Sequence, residues 1–283
     1  MEILSVENLC KKYEKFALKD VSFSLESGYI MGFIGSNGAG KTTTLKSMLN
    51  LVQKDGGTVK MFGKDFTHNE LELKQQIGFI FGGVDYYIKS RIWKITDVAS
   101  RFYTHWDNDT YKSYIQRFGI DESKKVEELS NGMRVKYSLA LALSHNAKLL
   151  LLDEPTSGLD PVARDDLLGL FQELIEVGER SILFSTHITS DLEKCADYIT
   201  YIKNGLIIES CAKDDLIAKY RMVQGKREQL KDLLPLFISY KEHAFGIAGL
   251  IRTADLNSGE GLAVEPPSIE EIMIYHEKKG AEI

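Results

Sequence analysis

Cysteine is scarce in this 283-residue chain: Cys10, Cys195 and Cys211 stand alone, and none has metal-ligand spacing. A disulfide framework or a cysteine-based metal site is therefore not expected, and the thiols are read as reduced and mostly buried. No apolar stretch approaches the length of a membrane span. The opening MEILSVENLC lacks the basic-then-apolar layout of a signal peptide. Internal repeats, low-complexity tracts and sustained heptads are absent too, which removes solenoids, biased tails and coiled coils from consideration. Nor is there a positive excess: 41 acidic residues against 35 basic ones leave a net charge of −6, so a broad nucleic-acid-binding face is not expected. What is present, 43% apolar and 27% charged residues, suits a globular protein with a sizeable core. These features together predict a cytosolic protein that remains free to dock onto a membrane partner.

The first part of the chain alternates β and α patterns. Glu2 to Leu9 and Val21 to Leu25 alternate apolar with polar residues, as half-exposed antiparallel strands do. Asp55-Gly56-Gly57 is a turn signal ahead of a short strand, Thr58 to Phe62. Fully apolar or β-branched runs at Tyr29–Ile34, Ile77–Phe81, Leu149–Leu152 and Ile182–Phe184 predict buried strands of a parallel sheet. Pro161 after Asp160 opens a helix that Gly178 ends, and Ser190 with Glu193 has the spacing of a capping box. Asn204-Gly205 predicts a type I′ hairpin. Between Asp85 and Glu128 aromatic residues recur at helical spacing, including Tyr86, Trp93, Phe102, Trp106, Tyr111 and Tyr114. A helical insertion is expected there, its aromatics serving mostly as core. From residue 216 a separate segment begins, with strands at Tyr220–Val223 and Leu236–Tyr240 and a helix at Arg227–Leu234 between them. A loop at Asn257–Gly261 and a final helix opened by Ser268 and Glu271 complete it.

One stretch carries the chemistry. Gly35 to Thr42 reads GSNGAGKT and matches G-x-x-x-x-G-K-[ST], with a strand pattern before it and helical spacing from Lys41 to Val52 after it. Glycines at 35, 38 and 40 let the backbone curl so that successive N–H groups face phosphate oxygens. The helix start adds a partial positive charge of roughly half a unit. The expected cradle is Gly35, Ser36, Asn37, Gly38, Ala39, Gly40, Lys41, Thr42 and Thr43. Lys41 can reach the β- and γ-phosphates, and the Thr42 hydroxyl can hold Mg²⁺. A nucleoside triphosphate and Mg²⁺ are thus the expected ligands.

The surroundings supply acids and a histidine. LLLLDE, Leu149 to Glu154, is an apolar strand ending in two carboxylates; Asp153 can hold Mg²⁺ through water, and Glu154 can act on the attacking water as a general base. Ser130 and the N–H groups around Gly132 form a second helix start suited to an anion. His187 ends the strand pattern Ile182–Phe184 at the carboxyl edge where parallel sheets bind ligands.

In this order and spacing the motifs resemble the nucleotide-binding subunit of ATP-binding-cassette transporters, over roughly residues 1 to 215. GSNGAGKT resembles the Walker A loop, LLLLDE the Walker B strand, LSNGM (Leu129 to Met133) the signature, Ser157 to Asp160 the D-loop, and His187 the switch histidine. Tyr13 matches the aromatic residue that stacks on adenine. The resemblance implies an α/β P-loop NTPase fold: a mostly parallel sheet, an antiparallel β subdomain, a helical insertion at about 85–145 and a small α+β appendage at 216–283. It also implies Mg²⁺-dependent ATP hydrolysis in which Glu154, His187 and Lys41 act and Asp160 and Ser130 contribute to binding. By the same resemblance the site would be shared head to tail with a second ATPase chain, in a homodimer or heterodimer. A separate permease, met at the inner face of the cell membrane, would carry the cargo, with export the direction implied by the exporter-type length and C-terminal ending.

The match is not complete. Gly82 stands where the family has a glutamine near Mg²⁺, with Asp85 the candidate substitute. The signature carries Asn131 and Met133 in place of glycine and glutamine. These changes leave one rival of weight, an ATP-dependent regulator with weak or no transport role. A soluble cassette of translation or repair is disfavoured by the single phosphate loop, and a kinase by the lack of an acceptor lid.

Overall fold

A computed structural model describes residues 1–81, 87–176, 180–244, 246–256 and 261–278 of the chain. Two compact units divide it, Met1–Ser210 and Cys211–Ile283. The expectations for Gly82, Asp85, Tyr86, Gly178 and the loop from Asn257 fall outside the described residues.

In chain order the first unit contains β1 (Glu2–Lys12), β2 (Ala17–Glu26), β3 (Ile30–Ile34), α1 (Lys41–Met48), β4 (Gly56–Met61), β5 (Lys64–Asp65), α2 (Glu70–Lys74) and β6 (Ile77–Phe81). Then come α3 (Ile92–Ser100), α4 (Asn108–Arg117), α5 (Asn131–Ser144), β7 (Leu149–Asp153), α6 (Pro161–Glu176), β8 (Ser181–Thr186), α7 (Thr189–Cys195), β9 (Tyr198–Lys203) and β10 (Leu206–Ala212), whose last two residues fall past Ser210 in the second unit. One sheet has the order β2-β1-β4-β5, with β1 antiparallel to β2 and β4. Its alternating burial is that of strands covered on one face only.

The second sheet, β10-β9-β3-β8-β7-β6, is parallel from β9 through β6. Every residue of β3, β7 and β8 is buried, which is why these segments read as unbroken apolar runs. Each buried leucine of the Leu149–Leu152 run contributes about 1.5–3 kcal/mol relative to exposure. Register sets the edge that matters: Ile34 lies beside Thr186, and Asp153 beside Ser185 and Phe81. The loops after β3, β7 and β8 therefore emerge together.

The insertion is helical. α3, α4 and α5 close on a core that includes Ile92, Ile95, Tyr111, Ile115 and Tyr137, while Trp93 and Phe102 stay exposed. Thr96 Oγ1 joins the Tyr111 and Tyr137 hydroxyls at 2.8 and 2.9 Å, linking all three helices. The insertion meets the end of α2, just ahead of β6, where His145, stacked on Tyr103 at 3.7 Å, sets Nδ1 3.1 Å from the Gln75 carbonyl. Burial lowers the His145 pKa to about 4, keeping the ring neutral.

The β9–β10 hairpin has φ values of 49° at Asn204 and 76° at Gly205, the positive pair that a type I′ turn requires. Its tip buttresses the phosphate loop: the Gly205 N–H donates to the Ala39 carbonyl at 2.9 Å, and the Gly205 carbonyl accepts from Lys19 at 2.9 Å. A Cβ on Gly205 would lie 1.9 Å from the Ala17 carbonyl oxygen, whereas one on Gly63, also at positive φ, would meet nothing within 4 Å. Gly205→Ala is therefore expected to cost roughly 2–4 kcal/mol, and Gly63→Ala about 1 kcal/mol. Paired thermal melts measure the contrast.

The second unit is α+β. It contains α8 (Lys213–Ala218), β11 (Tyr220–Gly225), β12 (Phe237–His243), β13 (Gly246–Arg252), β14 (Ala263–Glu265) and α9 (Ile269–Lys278), with sheet order β12-β13-β11-β14. Ser268 and Glu271 form the expected capping box of α9, their reciprocal bonds being 2.8 and 3.1 Å.

Several elements differ from the sequence reading. α1 ends at Met48 instead of reaching Val52, because Asn50 turns to φ 55° and the Leu51 and Val52 N–H groups fold back to the Lys46 carbonyl. β4 begins inside the expected turn, at Gly56. Ser190 is not a cap: α7 starts at Thr189 with Ile188 before it, and no side chain caps it. Arg227–Leu234 is not an α-helix. Three-residue turns such as Leu233 N–H to the Leu230 carbonyl replace it, ending in a 3₁₀ turn, Leu234–Leu236. Pro235 cannot donate the bond that would extend the helix.

Candidate functional site

The three loops gathered at the carboxyl edge of the parallel sheet line a cleft of about 730 Å³. Its floor is the phosphate loop. Gly40, at φ 116°, is the last residue before α1, and a Cβ there would lie 2.8 Å from both Leu18 Cδ2 and Phe16 Cζ. Only glycine fits that approach. α1 then begins at Lys41, so its first N–H groups face the cleft.

Lys41 is 6% exposed. Its ammonium donates to the carbonyls of Gly35 at 2.7 Å and Ser36 at 3.3 Å, and lies 3.1 Å from Glu154 Oε1. The Thr42 hydroxyl donates to Asp153 Oδ2 at 2.7 Å, and the Ser185 hydroxyl donates to Asp153 Oδ1 at 2.6 Å. Both oxygens of the buried Asp153 are thereby fixed. Glu154 adopts φ 49°, unusual for a side-chain-bearing residue, and its N–H is held by Ser185 Oγ at 3.0 Å. That turn places Glu154 Oε2 2.8 Å from His187 Nδ1. A cation, two carboxylates, two hydroxyls and an imidazole thus converge over a rim of backbone donors. The arrangement can hold a polyphosphate, orient a water beside it and take a proton from that water.

The sequence-predicted residues separate into two groups. Asn37, Gly38, Gly40, Lys41, Thr42, Thr43, Glu154 and His187 line the cleft, and Asp153 joins them through Thr42. Gly35, Ser36 and the buried Ala39 form the turn beneath, and a Cβ on Gly35 would lie 2.3 Å from the Ile202 carbonyl oxygen. Tyr13, Ser130, Gly132 and Asp160 do not line it. Tyr13 is half-exposed under the Lys11 ammonium, which sits 5.5 Å from its ring. Ser130 caps α5 by accepting the Met133 N–H at 3.3 Å, and Gly132 lies against Leu159 and Ala163. Asp160 caps α6, accepting the Val162 and Ala163 N–H groups at 3.0 Å each, and those bonds hold its carboxyl below the usual range.

Sequence reasoning missed Lys15, Phe16 and Asn204, which line the cleft, and Ser185, which joins Asp153 to Glu154. Phe16 had a signal, an aromatic residue three positions after Tyr13 and just ahead of β2. Ser185 had none, because its role depends on the β7–β8 register.

Comparison with known proteins follows the same lines. The family model described as ABC transporter matches residues 18–157. The ABC transporter ATP-binding protein YtrB of Bacillus subtilis (strain 168) is 32% identical over 207 residues, 73% of this chain and 70% of YtrB. The bacitracin transport ATP-binding protein BcrA of Bacillus licheniformis is 30% identical over 244 residues, 85% of this chain and 79% of BcrA. Among solved structures, an ATP-binding subunit of an ABC transporter is similar at a TM-score of 0.68 and 25% identity, covering 81% of this chain and 93% of that one.

Proposed function

The chain belongs to the ABC transporter family as one of its ATP-binding subunits, and we propose that it hydrolyses ATP in this cleft to drive a separate membrane permease. The observation that carries the reading is the placement of Glu154 between the Lys41 ammonium, 3.1 Å away, and His187 Nδ1, 2.8 Å away. Lys41 exchanges Glu154 and the loop carbonyls for the β- and γ-phosphates, whose oxygens the loop N–H groups also hold. Freed of that ion pair, Glu154 accepts the proton of the attacking water. His187 orients Glu154 and contacts the γ-phosphate. Adenine is assigned to the aromatic pair Tyr13 and Phe16, of which Phe16 lines the cleft and Tyr13 lies outside it under the Lys11 ammonium, so that Tyr13 stacks only once nucleotide draws it in.

Thr42 Oγ1 and Asp153 Oδ2 are hard oxygen donors of the kind Mg²⁺ prefers, and two protein oxygens suit an ion that takes its other ligands from water and phosphate. When bound, Mg²⁺ supplies charge neutralisation across the phosphates.

Ser130 and Gly132 lie outside the cleft in their own chain. A second ATPase chain packed head to tail, either a copy or a relative, brings the matching helix start to the γ-phosphate, and Asp160 lies on the same joint. Hydrolysis is assigned to residues 1–215 and an accessory role to 216–283. Export is the inferred direction, resting on the resemblance to exporter-type cassettes; the likeness to a protein of bacitracin transport supports transport itself.

Among the described residues no helix is long and apolar enough to cross a membrane. The cargo path is assigned to another chain, as the membership among ATP-binding subunits implies, and this chain to the cytoplasmic face beside it. The insertion supplies a surface for it. An apolar groove of about 570 Å³ lies between α3 and α5, lined by Ile95 and Leu141 together with Tyr87, Val98 and Phe102. The last three are 73%, 54% and 71% exposed, a cluster that marks an interaction site. The tagged chain is expected to co-purify with a polytopic membrane protein from detergent extracts, and Phe102→Asp to cut that recovery roughly tenfold with ATP affinity within about twofold. Recovery without any membrane protein, or recovery indifferent to Phe102→Asp, contradicts the reading.

A further inference from the structure

Behind Glu154 and His187 lies a buried carboxylate with no part in the chemistry above. Asp191, in the first turn of α7, is 1% exposed. Its Oδ2 accepts a 2.6 Å hydrogen bond from Thr156 Oγ1, two residues beyond Glu154. Its Oδ1 has no hydrogen bond and sits 3.9 Å from Arg164 Nε, which is also buried without a hydrogen-bond partner. Arg164 stands in the first turn of α6, its N–H bonded to the Asp160 carbonyl at 3.0 Å. Thr186, the neighbour of His187, adds a favourable hydroxyl contact to the carboxylate, and the same hydroxyl takes the Ile188 N–H at 2.9 Å.

One side chain thus touches the segments that carry Glu154, the Ser157–Asp160 turn and His187. Burial pushes its carboxyl up; Thr156, Arg164 and Thr186 oppose that rise, and the Glu154 charge adds to it. A buried carboxylate oxygen and a buried guanidinium Nε facing each other without a hydrogen bond are each left unsatisfied, although the Arg164 side chain as a whole is 29% exposed. Shortening the gap by about 1 Å makes a charge-assisted bond. Such a movement draws the start of α6, and with it the Ser157–Asp160 turn, toward the switch segment.

We propose that Asp191 is a positioning residue for ATP hydrolysis, a latch whose closure onto Arg164 aligns Glu154 and His187. The proposal rests on the reading that those two residues run the reaction. It predicts effects on turnover and not on nucleotide binding, since Asp191 does not line the cleft.

The test uses the chain with its permease, or the full chain alone if it turns over alone. Asp191→Asn keeps the volume and the Thr156 bond but removes the charge that draws Arg164; Arg164→Gln removes the other end. Each is expected to lower kcat about tenfold with KM for MgATP within about twofold, and the double variant to lose about tenfold and not a hundredfold. Thr156→Val breaks the bond to Oδ2 and is expected to lower kcat similarly, with Thr156→Ser restoring it. Wild-type kcat in Asp191→Asn, single effects that multiply, or a loss confined to KM overturns the latch. If Asp191→Asn does not fold, the Thr156 pair decides, and equal kcat in the Val and Ser forms overturns it. Glu154→Gln is measured alongside. Should it hydrolyse at the wild-type rate, the reading of the site falls and the latch with it, whereas full activity in Asp191→Asn beside an inactive Glu154→Gln removes the latch alone.

Discussion

Lys41→Ala is expected to weaken ATP binding by roughly 100-fold and to abolish turnover at millimolar ATP. Two charge-assisted phosphate contacts at roughly 1.5–3 kcal/mol each set that scale, less the cost of freeing the ammonium from its present partners. Those partners are the Gly35 and Ser36 carbonyls and Glu154, so the substitution also strips the loop of an internal brace. Lys41→Arg keeps the charge and is still expected to fail, because a planar guanidinium cannot occupy a pocket in which the lysine is 6% exposed. Equilibrium binding of a fluorescent ATP analogue separates this defect from a catalytic one, and thermal melts confirm that the fold survives.

Glu154→Gln is expected to do the opposite: ATP stays bound and its hydrolysis falls by about 10²–10⁴-fold. Glutamine keeps the size of the side chain and a carbonyl oxygen that can face Lys41, but it cannot take a proton from water. The backbone prepares that position with care. Glu154 holds φ 49°, a conformation that costs about 1–3 kcal/mol, and its N–H is pinned to Ser185. Strain kept at a residue that points a carboxylate into a cleft is understandable where that carboxylate acts. In the proposed head-to-tail pair, ATP would also stay trapped between the two chains, since the step that would release them no longer occurs. Asn at 154 would shorten the reach and lose the His187 contact as well, so glutamine is the cleaner change.

How much of this was legible in the sequence depended on the range of each interaction. GSNGAGKT, LLLLDE and the Asn204-Gly205 turn are local, and backbone geometry alone gave their meaning. The buried strands were legible because a sheet covered on both faces demands unbroken apolar runs, as in Leu149–Leu152. Arg227–Leu234 misled because Leu230, Leu233 and Leu234 have helical spacing, yet they pack into the second unit's core through short turns. Ser190 misled because its spacing to Glu193 fits a cap, while α7 had already begun one residue earlier. In the site, the residues still missing from the sequence reading were those joined by register and not by spacing. Ser185 meets Asp153 only because β8 lies beside β7, and Asp191 meets Thr156 from 35 residues away. The groove around Phe102 lay hidden for another reason: an aromatic residue at helical spacing is more often core, and here Tyr111 is and Phe102 is not.

The central claim is that the cleft at the carboxyl edge of the parallel sheet hydrolyses ATP with Glu154 as the base. Phosphate release is measured under saturating MgATP, with the permease present, for the wild-type chain and Glu154→Gln at matched nucleotide occupancy. Steady release from the wild type, with only background from Glu154→Gln, is the predicted result. Equal release from both would contradict it.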